Sequence, residues 1–307
     1  MRHLFVSVCA ITLFIVSISA QETINDLIVG EVVKLSGGNQ FIEGPVWHRD
    51  GFLLFSDIPR NQIKKWDGAA LSVWSNNSGS SNGLTIDPQG RLVACEHGGR
   101  RISAWEDDGT IVTITDAYQG DTFNSPNDAV VRSDGTIFFT DPDWGLSGRP
   151  REISFNGVYR VKPGEDAVLL DNDYSKPNGI ALSPDETKLY VADDTRNFIR
   201  VYDVDEAGDV SNSSRFTSVS NPDGIKVDVD GRVWSSSSAG VMVYSPSGER
   251  IGTIRFPEQP ANLAFGGADL KTLFATARTG LYSIQLSVAG IDPWRIVQSR
   301  IESSALE

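Results

Sequence analysis

Short runs of alternating apolar and polar residues recur along the chain, and most are bounded by turn residues. The run at residues 84–86 leads into the turn Asp87-Pro88-Gln89-Gly90, and a second apolar run follows at residues 91–94. Alternation with a period of two predicts half-buried β-strands, and Asp, Pro and Gly between two such runs predict hairpins. No convincing stretch of ten or more residues after residue 20 has helical periodicity. The pattern therefore predicts an all-β protein with antiparallel strands.

One arrangement of these runs is repeated six times. Each copy begins with a residue whose side chain carries an oxygen, followed by glycine or a substitute and two apolar strands. The six first residues are Glu43, Asn82, Asn127, Asn178, Asp223 and Asn262, at intervals of 39 to 51 residues. Repeats of this length suit four-stranded sheets, and such sheets in series form a propeller. The sequence predicts a six-bladed β-propeller, with residues 24–40 and 286–301 pairing to close the ring.

The six first residues would converge in such a fold, because the innermost strand of each blade runs along the central channel. Asn and Asp also favour turns, but Glu43 has no such preference, and the prolines at positions 126, 177 and 222 already turn the chain. Amide and carboxylate oxygens are the ligands that Ca²⁺ prefers, and two carboxylates would neutralise its charge. The sequence therefore predicts one divalent cation in the channel, Ca²⁺ before Mn²⁺, Mg²⁺ or Zn²⁺.

The first twenty residues have the three parts of a secretory signal peptide. Met1-Arg2-His3 precedes an apolar run over residues 4–18, and the small pair Ser19-Ala20 follows it. The run is shorter than the ~20 residues that a membrane span needs. We expect cleavage near Ala20, export to the periplasm or the medium, no span in the mature form, and a single propeller domain over residues 21–307. Cys95 is then the remaining cysteine and is expected to be buried.

Composition narrows the class of partner. The chain has 27 Lys and Arg against 40 Asp and Glu, a formal net charge of −13. Such a charge repels phosphate backbones and anionic membrane surfaces. We therefore expect a small-molecule partner, no nucleic acid and no obligatory protein partner.

An ordered set of short motifs resembles the SMP-30/regucalcin/gluconolactonase family of calcium-dependent lactonases, especially its bacterial gluconolactonase-like branch. The motifs span residues 41 to about 284 and are Glu43-Gly44-Pro45-Val46-Trp47, Ser81-Asn82-Gly83-Leu84, Cys95-Glu96-His97-Gly98, Asn124-Ser125-Pro126-Asn127-Asp128, Thr140-Asp141-Pro142, Lys176-Pro177-Asn178-Gly179 and Asn221-Pro222-Asp223-Gly224. The resemblance implies that Glu43, Asn178 and Asp223 coordinate the metal, and that Asn127 joins them or contacts the substrate. It also implies that Asp223 handles the proton.

The resemblance implies a sugar lactone such as glucono-1,5-lactone as the substrate, which is opened to the aldonic acid. Two positions depart from the family pattern. Ser125 stands where mammalian-type members have arginine, and Asp143-Trp144-Gly145 replaces Pro-Tyr-Gly. The sugar is therefore expected to be held differently, with His97 and Trp144 at the channel mouth. Asn82 and Asn262 are further candidates for substrate binding.

Two other functions are compatible with these motifs. The same metal arrangement could hydrolyse another ester or an organophosphate, or the propeller could be a non-catalytic binding module that calcium stabilises. A serine hydrolase is not expected, because the mature chain has only two histidines and offers no Ser-His-Asp arrangement. The run Ser235-Ser236-Ser237-Ser238 is expected to pack as small residues.

Overall fold

Six four-stranded antiparallel sheets contain nearly all the strands of the computed structural model, which describes residues 22–292. The first three blades, from the inner strand outward, are β2 to β5 (Ile42–His48, Phe52–Asp57, Gln62–Trp66, Leu71–Ser75), β6 to β9 (Ser81–Ile86, Leu92–Glu96, Arg101–Trp105, Ile111–Thr115) and β12 to β15 (Ala129–Val131, Ile137–Asp141, Gly157–Val161, Val168–Asp171). A hairpin of β10 (Ala117–Tyr118) and β11 (Asp121–Thr122) precedes blade 3.

The next two blades have the same strand order. They are β16 to β19 (Pro177–Leu182, Lys188–Asp193, Phe198–Val204, Val210–Ser218) and β20 to β23 (Ile225–Val227, Val233–Ser237, Gly240–Tyr244, Arg250–Ile254). Blade 6 contains β24 (Asn262–Gly266), β25 (Thr272–Ala277), β26 (Gly280–Gln285) and β1 (Val33–Ser36). Helical residues within 22–292 form α1 (Ile24–Leu27) and two 3₁₀ turns (Ile58–Arg60 and Trp144–Leu146). The predicted all-β architecture with six blades is confirmed.

The core lies between the blades. Successive residues of a strand point to opposite faces of its sheet, so each blade packs against both of its neighbours. In β7, Leu92 and Ala94 join the cluster shared with blade 1, whereas Val93 and Cys95 join the cluster shared with blade 3. Six such clusters, one for each pair of adjacent blades, complete the ring. The expected burial of Cys95 is confirmed.

The ring closes differently from the predicted pairing of residues 24–40 with 286–301. β1 pairs with β26, in the register Val33 to Ser283, so an N-terminal strand completes the sheet formed by the last three blade strands. Leu286 contributes a single bridge to Ile28. Residues 287–292 then cross the far end of the channel, while residues 293–301 and the predicted signal peptide lie outside the described residues. Within the described range, no helix has the length and apolarity to cross a bilayer.

Glu258 stabilises this closure through three partners on blade 6. Its carboxylate accepts hydrogen bonds from Lys34 Nζ on β1 at 2.9 Å and from the Tyr282 hydroxyl at 2.7 Å. It also accepts two from Thr279, at 2.8 and 3.0 Å. Burial alone would raise the pKa of Glu258, but these hydrogen bonds lower it to about 2. The ionised form therefore holds β1 in place.

Replacing Glu258 with Gln is expected to lower the thermal midpoint at pH 7 by about 2–4 °C, the effect of ~1 kcal/mol in a protein of this size. Because folding lowers this pKa, the stabilisation is complete above pH ~4.5 and is lost as the pH falls towards 2. Melting curves of the wild type and the variant should therefore converge between pH 4.5 and 2. Glu249→Gln, at an exposed turn, serves as the control and should change neither curve. A constant difference down to pH 2 would contradict this role.

Candidate functional site

Five of the six predicted residues converge at one end of the central channel. Glu43, Asn82, Asn127 and Asn178 are each at most 4% exposed, and Asp223 is partly exposed. Backbone hydrogen bonds join blade 2 to blade 3 and blade 4 to blade 5, because the amide that follows the predicted residue of one blade donates to the carbonyl of the predicted residue of the next. Gly83 N donates to Asn127 O at 2.8 Å and Gly179 N to Asp223 O at 3.0 Å. We call these five residues the oxygen ring.

The sixth residue, Asn262, lies one residue further along the channel than the six-fold repeat predicts. In blade 6 it is Ala261 O that accepts the interblade hydrogen bond, from Gly224 N at 2.9 Å. Ala261 therefore occupies the position of Asn127 and Asp223. The sequence contains a signal for this register, because Pro260 precedes Ala261 as a proline precedes Asn127, Asn178 and Asp223. The ring thus has five oxygen-bearing side chains and one alanine.

Buried acids at the ends of second strands hold the loops that carry the ring residues. Asp141 is fully buried and accepts hydrogen bonds from Asn124 N at 2.9 Å and Ser125 N at 2.7 Å. Asp57 and Asp193 bind the equivalent loops of blades 1 and 4. Burial raises the pKa of Asp141 to about 7, although these amides act in the opposite direction. No role was predicted for these acids from the sequence, although their repeated position at the end of a strand was the available signal.

Desolvation raises the pKa of both carboxylates of the ring. Burial raises the pKa of Glu43 to about 7, and Asp128 adds to the effect, while the Gly44 amide donates to Glu43 Oε2 at 2.8 Å and opposes it. Desolvation raises the pKa of Asp223, and the Glu43 and Asp194 carboxylates raise it further. A hydrogen bond with Asn178 opposes this rise. Both acids can be ionised together at low energy when a positive charge lies between them.

The donor set fits a hard divalent cation. Glu43 and Asp223 supply carboxylates, Asn178 contacts Asp223, and Asn127 completes a set of oxygen donors of the kind that Ca²⁺ takes. Within residues 22–292 no group of three or more His, Cys, Asp or Glu side chains is arranged to hold a metal ion, so a cation here needs amide oxygens as well. Asn82 Oδ1 is buried and accepts no hydrogen bond from the described residues. It is a further unused donor in the channel.

His97 lies beside Asn82 at the rim. Its Nε2 is 3.4 Å from Asn82 Nδ2, which places the imidazole next to the ring as predicted. Burial, followed by the nearby Arg149 guanidinium, lowers the pKa of His97 to about 4. The imidazole is therefore neutral at physiological pH and offers Nε2 as an acceptor to the Asn82 amide. Arg149 donates to the carbonyl oxygens of His97 and Gly145, at 2.6 and 2.7 Å.

The loop at residues 142–156 of blade 3 brings Trp144 to the same rim. The Ser125 hydroxyl holds this loop, because it donates to Pro142 O at 2.5 Å and accepts from Gly145 N at 2.9 Å. Ser125, which the resemblance places where mammalian-type members have arginine, therefore positions this loop. The Trp144 side chain is 42% exposed, and Lys176 Nζ lies 5.6 Å from its ring centroid. An exposed indole beside an ammonium group can stack on the face of a sugar.

Towards its other end the channel contains a cavity with a mostly apolar lining. This cavity of about 130 Å³ is lined by the inner strands, including Val46, Ile86, Leu182 and Phe265. Ile291, from the segment that crosses the far end, also lines it. Most of the lining is apolar, and Thr85, Lys226 and Asp292 are the polar residues in it.

The six-bladed fold agrees with comparison to known families. Residues 41–279 match the family model described as the SMP-30/Gluconolactonase/LRE-like region. The chain belongs to this family, and the resemblance seen in its motifs is confirmed.

Individual relatives are lactone hydrolases by name. A gluconolactonase of Zymomonas mobilis is 33% identical over 288 residues, covering 82% of this chain and 80% of that protein. The pentonolactonase XacC of Haloferax volcanii is 26% identical and covers 78% of this chain and 81% of that protein. The structure of a gluconolactonase from Xanthomonas campestris superimposes with a TM-score of 0.82 at 32% identity, covering 87% of this chain and 94% of that one.

Proposed function

We propose that this protein is a metal-dependent lactonase that opens a sugar lactone such as glucono-1,5-lactone to its aldonic acid, with Ca²⁺ as the native cation. The observation that carries the proposal is the convergence of the Glu43 and Asp223 carboxylates at one end of the channel, where burial raises the pKa of both and Glu43 raises that of Asp223 further. The relatives named gluconolactonase and pentonolactonase support the substrate class.

The ring residues have two roles in the proposed reaction, cation binding and proton transfer. Glu43, Asn127, Asn178 and Asp223 would hold the cation. When bound, it would polarise the lactone carbonyl and stabilise negative charge on that oxygen. Asp223 is the proton acceptor: it takes a proton from the water whose oxygen attacks the carbonyl carbon. The bond from that carbon to the ring oxygen then breaks, and the ring oxygen receives the proton to become the hydroxyl of the product.

The rim residues would orient the sugar. Asn82 offers a buried amide oxygen, and neutral His97 lies beside it. Trp144 offers an exposed aromatic face above the ring. Asn262 was predicted as a substrate contact, but its side chain already binds Asp128 and Leu263 N in the layer below. We therefore assign the substrate contacts to the upper layer.

Hydrolysis by metal-stripped protein tests the proposal. Acid release from glucono-1,5-lactone, above the uncatalysed rate, should be absent after chelation and return with Ca²⁺. A pentonolactone, an aryl ester and an organophosphate form the comparison panel, with Mn²⁺, Mg²⁺ and Zn²⁺ as alternative cations. Activity confined to the ester or the organophosphate would favour the other hydrolase. Metal binding that raises the melting temperature without any hydrolysis would favour a calcium-stabilised binding module instead.

We also propose that the protein is exported, on the pattern of residues 1–20. Sequencing the N-terminus of protein recovered from the periplasm or the medium tests this, and retention of Met1 would contradict it.

A further inference from the structure

Two side chains meet across the channel one layer below the oxygen ring. Asp128 and Asn262 occupy the position that glycine holds in the other four blades, which have Gly44, Gly83, Gly179 and Gly224. Blades 3 and 6 are opposite each other in a ring of six, so these two side chains approach from opposite walls. Asn262 Nδ2 donates to Asp128 Oδ2 at 3.3 Å. With Lys226, they form what we call the channel floor.

Glycine in the preceding blades makes room for this floor. A Cβ atom at Gly83 would lie 2.5 Å from Asp128 Oδ1, and one at Gly224 would lie 2.1 Å from Asn262 Oδ1. Both distances are far below van der Waals contact, so a larger residue at either position would displace the floor. Glycine at positions 83 and 224 is therefore a packing requirement of the floor.

Lys226 is the third member of the floor. It follows Gly224 by two residues on β20 and so points to the same side of the strand. Its Nζ donates to Ile225 O at 3.0 Å, lies 3.5 Å from Asn262 Oδ1 and is 3.9 Å from Asp128 Oδ2. The Asp128 side chain is 2% exposed, and that of Lys226 is 26% exposed. A carboxylate as buried as Asp128 needs a compensating charge, which Lys226 supplies.

The channel therefore contains two charge-balanced layers. In the floor, one ammonium faces one carboxylate. In the oxygen ring, Glu43 and Asp223 form no salt bridge within residues 22–292 and would be balanced by a dication. We propose that Lys226 is a built-in cation of the channel, which neutralises Asp128 and thereby sets the affinity of the oxygen ring for its metal ion. This inference deepens the proposed function and rests on it.

The charges of the floor reach the ring. The Asn262 side chain, which contacts Asp128 and Lys226 in the floor, also forms a hydrogen bond with Glu43, and Asp128 directly follows the ring residue Asn127 in the chain. The Lys226 ammonium repels a cation bound beside Glu43. Removing the ammonium would leave three carboxylates, Glu43, Asp223 and Asp128, around the upper channel, and their combined field would attract cations more strongly.

Lys226→Met tests this by calorimetric titration of metal-stripped protein with Ca²⁺ at pH 8. Loss of a unit charge next to the ring in a partly buried site should tighten Ca²⁺ binding roughly tenfold. The increase should be larger for Tb³⁺, followed by its emission, because the electrostatic effect scales with the charge of the ion. An affinity equal to that of the wild type for both ions would overturn the inference.

Three further variants separate charge from structure. Lys226→Met/Asp128→Asn restores a neutral floor and should return both affinities to near wild type, an effect that mere loosening of the channel would not produce. Lys226→Arg keeps the charge and should also bind as the wild type does. Lys188→Met removes an exposed lysine far from the channel and should change nothing. In metal-free protein, Lys226→Met should lower the melting temperature, and the double variant should recover most of it.

The outcomes distinguish this inference from the proposed function. If the wild type binds no cation but Lys226→Met acquires binding, the charge-setting role stands and the proposed metal dependence of the native protein fails. If neither protein binds a cation, both fail. If both bind with equal affinity, the metal site stands and the role of Lys226 is wrong.

Discussion

Asp223→Asn is expected to lower kcat for lactone hydrolysis on the order of 10³-fold, while the propeller stays folded. General-base contributions of 10² to 10⁴ are usual, and the amide can neither accept the proton nor supply the second negative charge to the cation. The side chain keeps its size, so interblade packing at Gly179 is retained. Ca²⁺ binding should weaken as well, because one of the two carboxylates of the ring is lost.

The stability of this variant should change in the opposite direction from its activity. Desolvation and the Glu43 carboxylate hold the pKa of Asp223 above its usual range. An acid whose pKa is raised by folding makes the folded state less stable as the pH rises, once the unfolded chain has released its proton. The neutral amide removes this loss, so metal-free Asp223→Asn should melt above metal-free wild type, by a margin that grows from pH 5 to pH 8.

Asp194→Asn is the matched control, since this carboxylate contributes to the field at Asp223 without belonging to the ring. It should change kcat by less than about tenfold. An Asp223→Asn protein that hydrolyses lactone at the wild-type rate would exclude Asp223 as the proton acceptor. One that is inactive but binds Ca²⁺ as tightly as the wild type would remove Asp223 from the metal site and leave its role with the proton.

The blade architecture could be predicted from the sequence because it depends on local features. Alternation within β7 specifies two opposite faces, and turn residues such as those at positions 87–90 separate one strand from the next. Closure could not be predicted in the same way. β1 joins β26 across nearly the whole chain, and such a pairing has no local signature that separates it from residues 286–301 as a partner.

The candidate site could be predicted in part. Residue type and repeat position located Glu43, Asn127, Asn178 and Asp223, which the structure brings to one end of the channel. The alignment of blade 6 was wrong by one residue, because it matched oxygen-bearing side chains and ignored Pro260. Backbone hydrogen bonds place Ala261 at that level. The position of the proline therefore predicts the register of blade 6 better than the type of side chain does.

The floor shows why other parts of the site were missed. Lys226 is a charged residue between Ile225 and Val227 on an inner strand, and this break in the apolar pattern was the available sequence signal for a role of Lys226 in the channel. Its meaning depends on Asp128, which is distant in sequence and comes into range only when the ring closes. Contacts between separate blades of this kind require the three-dimensional arrangement.

Gly179→Ala is expected to disrupt the site and the fold together. A Cβ atom at position 179 would lie 2.1 Å from Asp223 O and 2.6 Å from Ile225 N. Both neighbours are backbone atoms of an inner strand, so they cannot rotate away as a flexible side chain would. Blade 4 would have to move from blade 5, which breaks the hydrogen bond from Gly179 N to Asp223 O. Overpacking of this kind destabilises by about 1–3 kcal/mol or more.

The movement should also separate Asn178 from Asp223, so that Ca²⁺ affinity and kcat fall together with the melting temperature. Gly30→Ala is the matched control, because its nearest neighbour would be Gln285 Cβ at 3.8 Å, an ordinary contact. It should retain wild-type melting and activity. Unchanged melting temperature, metal affinity and kcat in Gly179→Ala would contradict this prediction. Blades 4 and 5 would then lie further apart at position 179 than the structure shows.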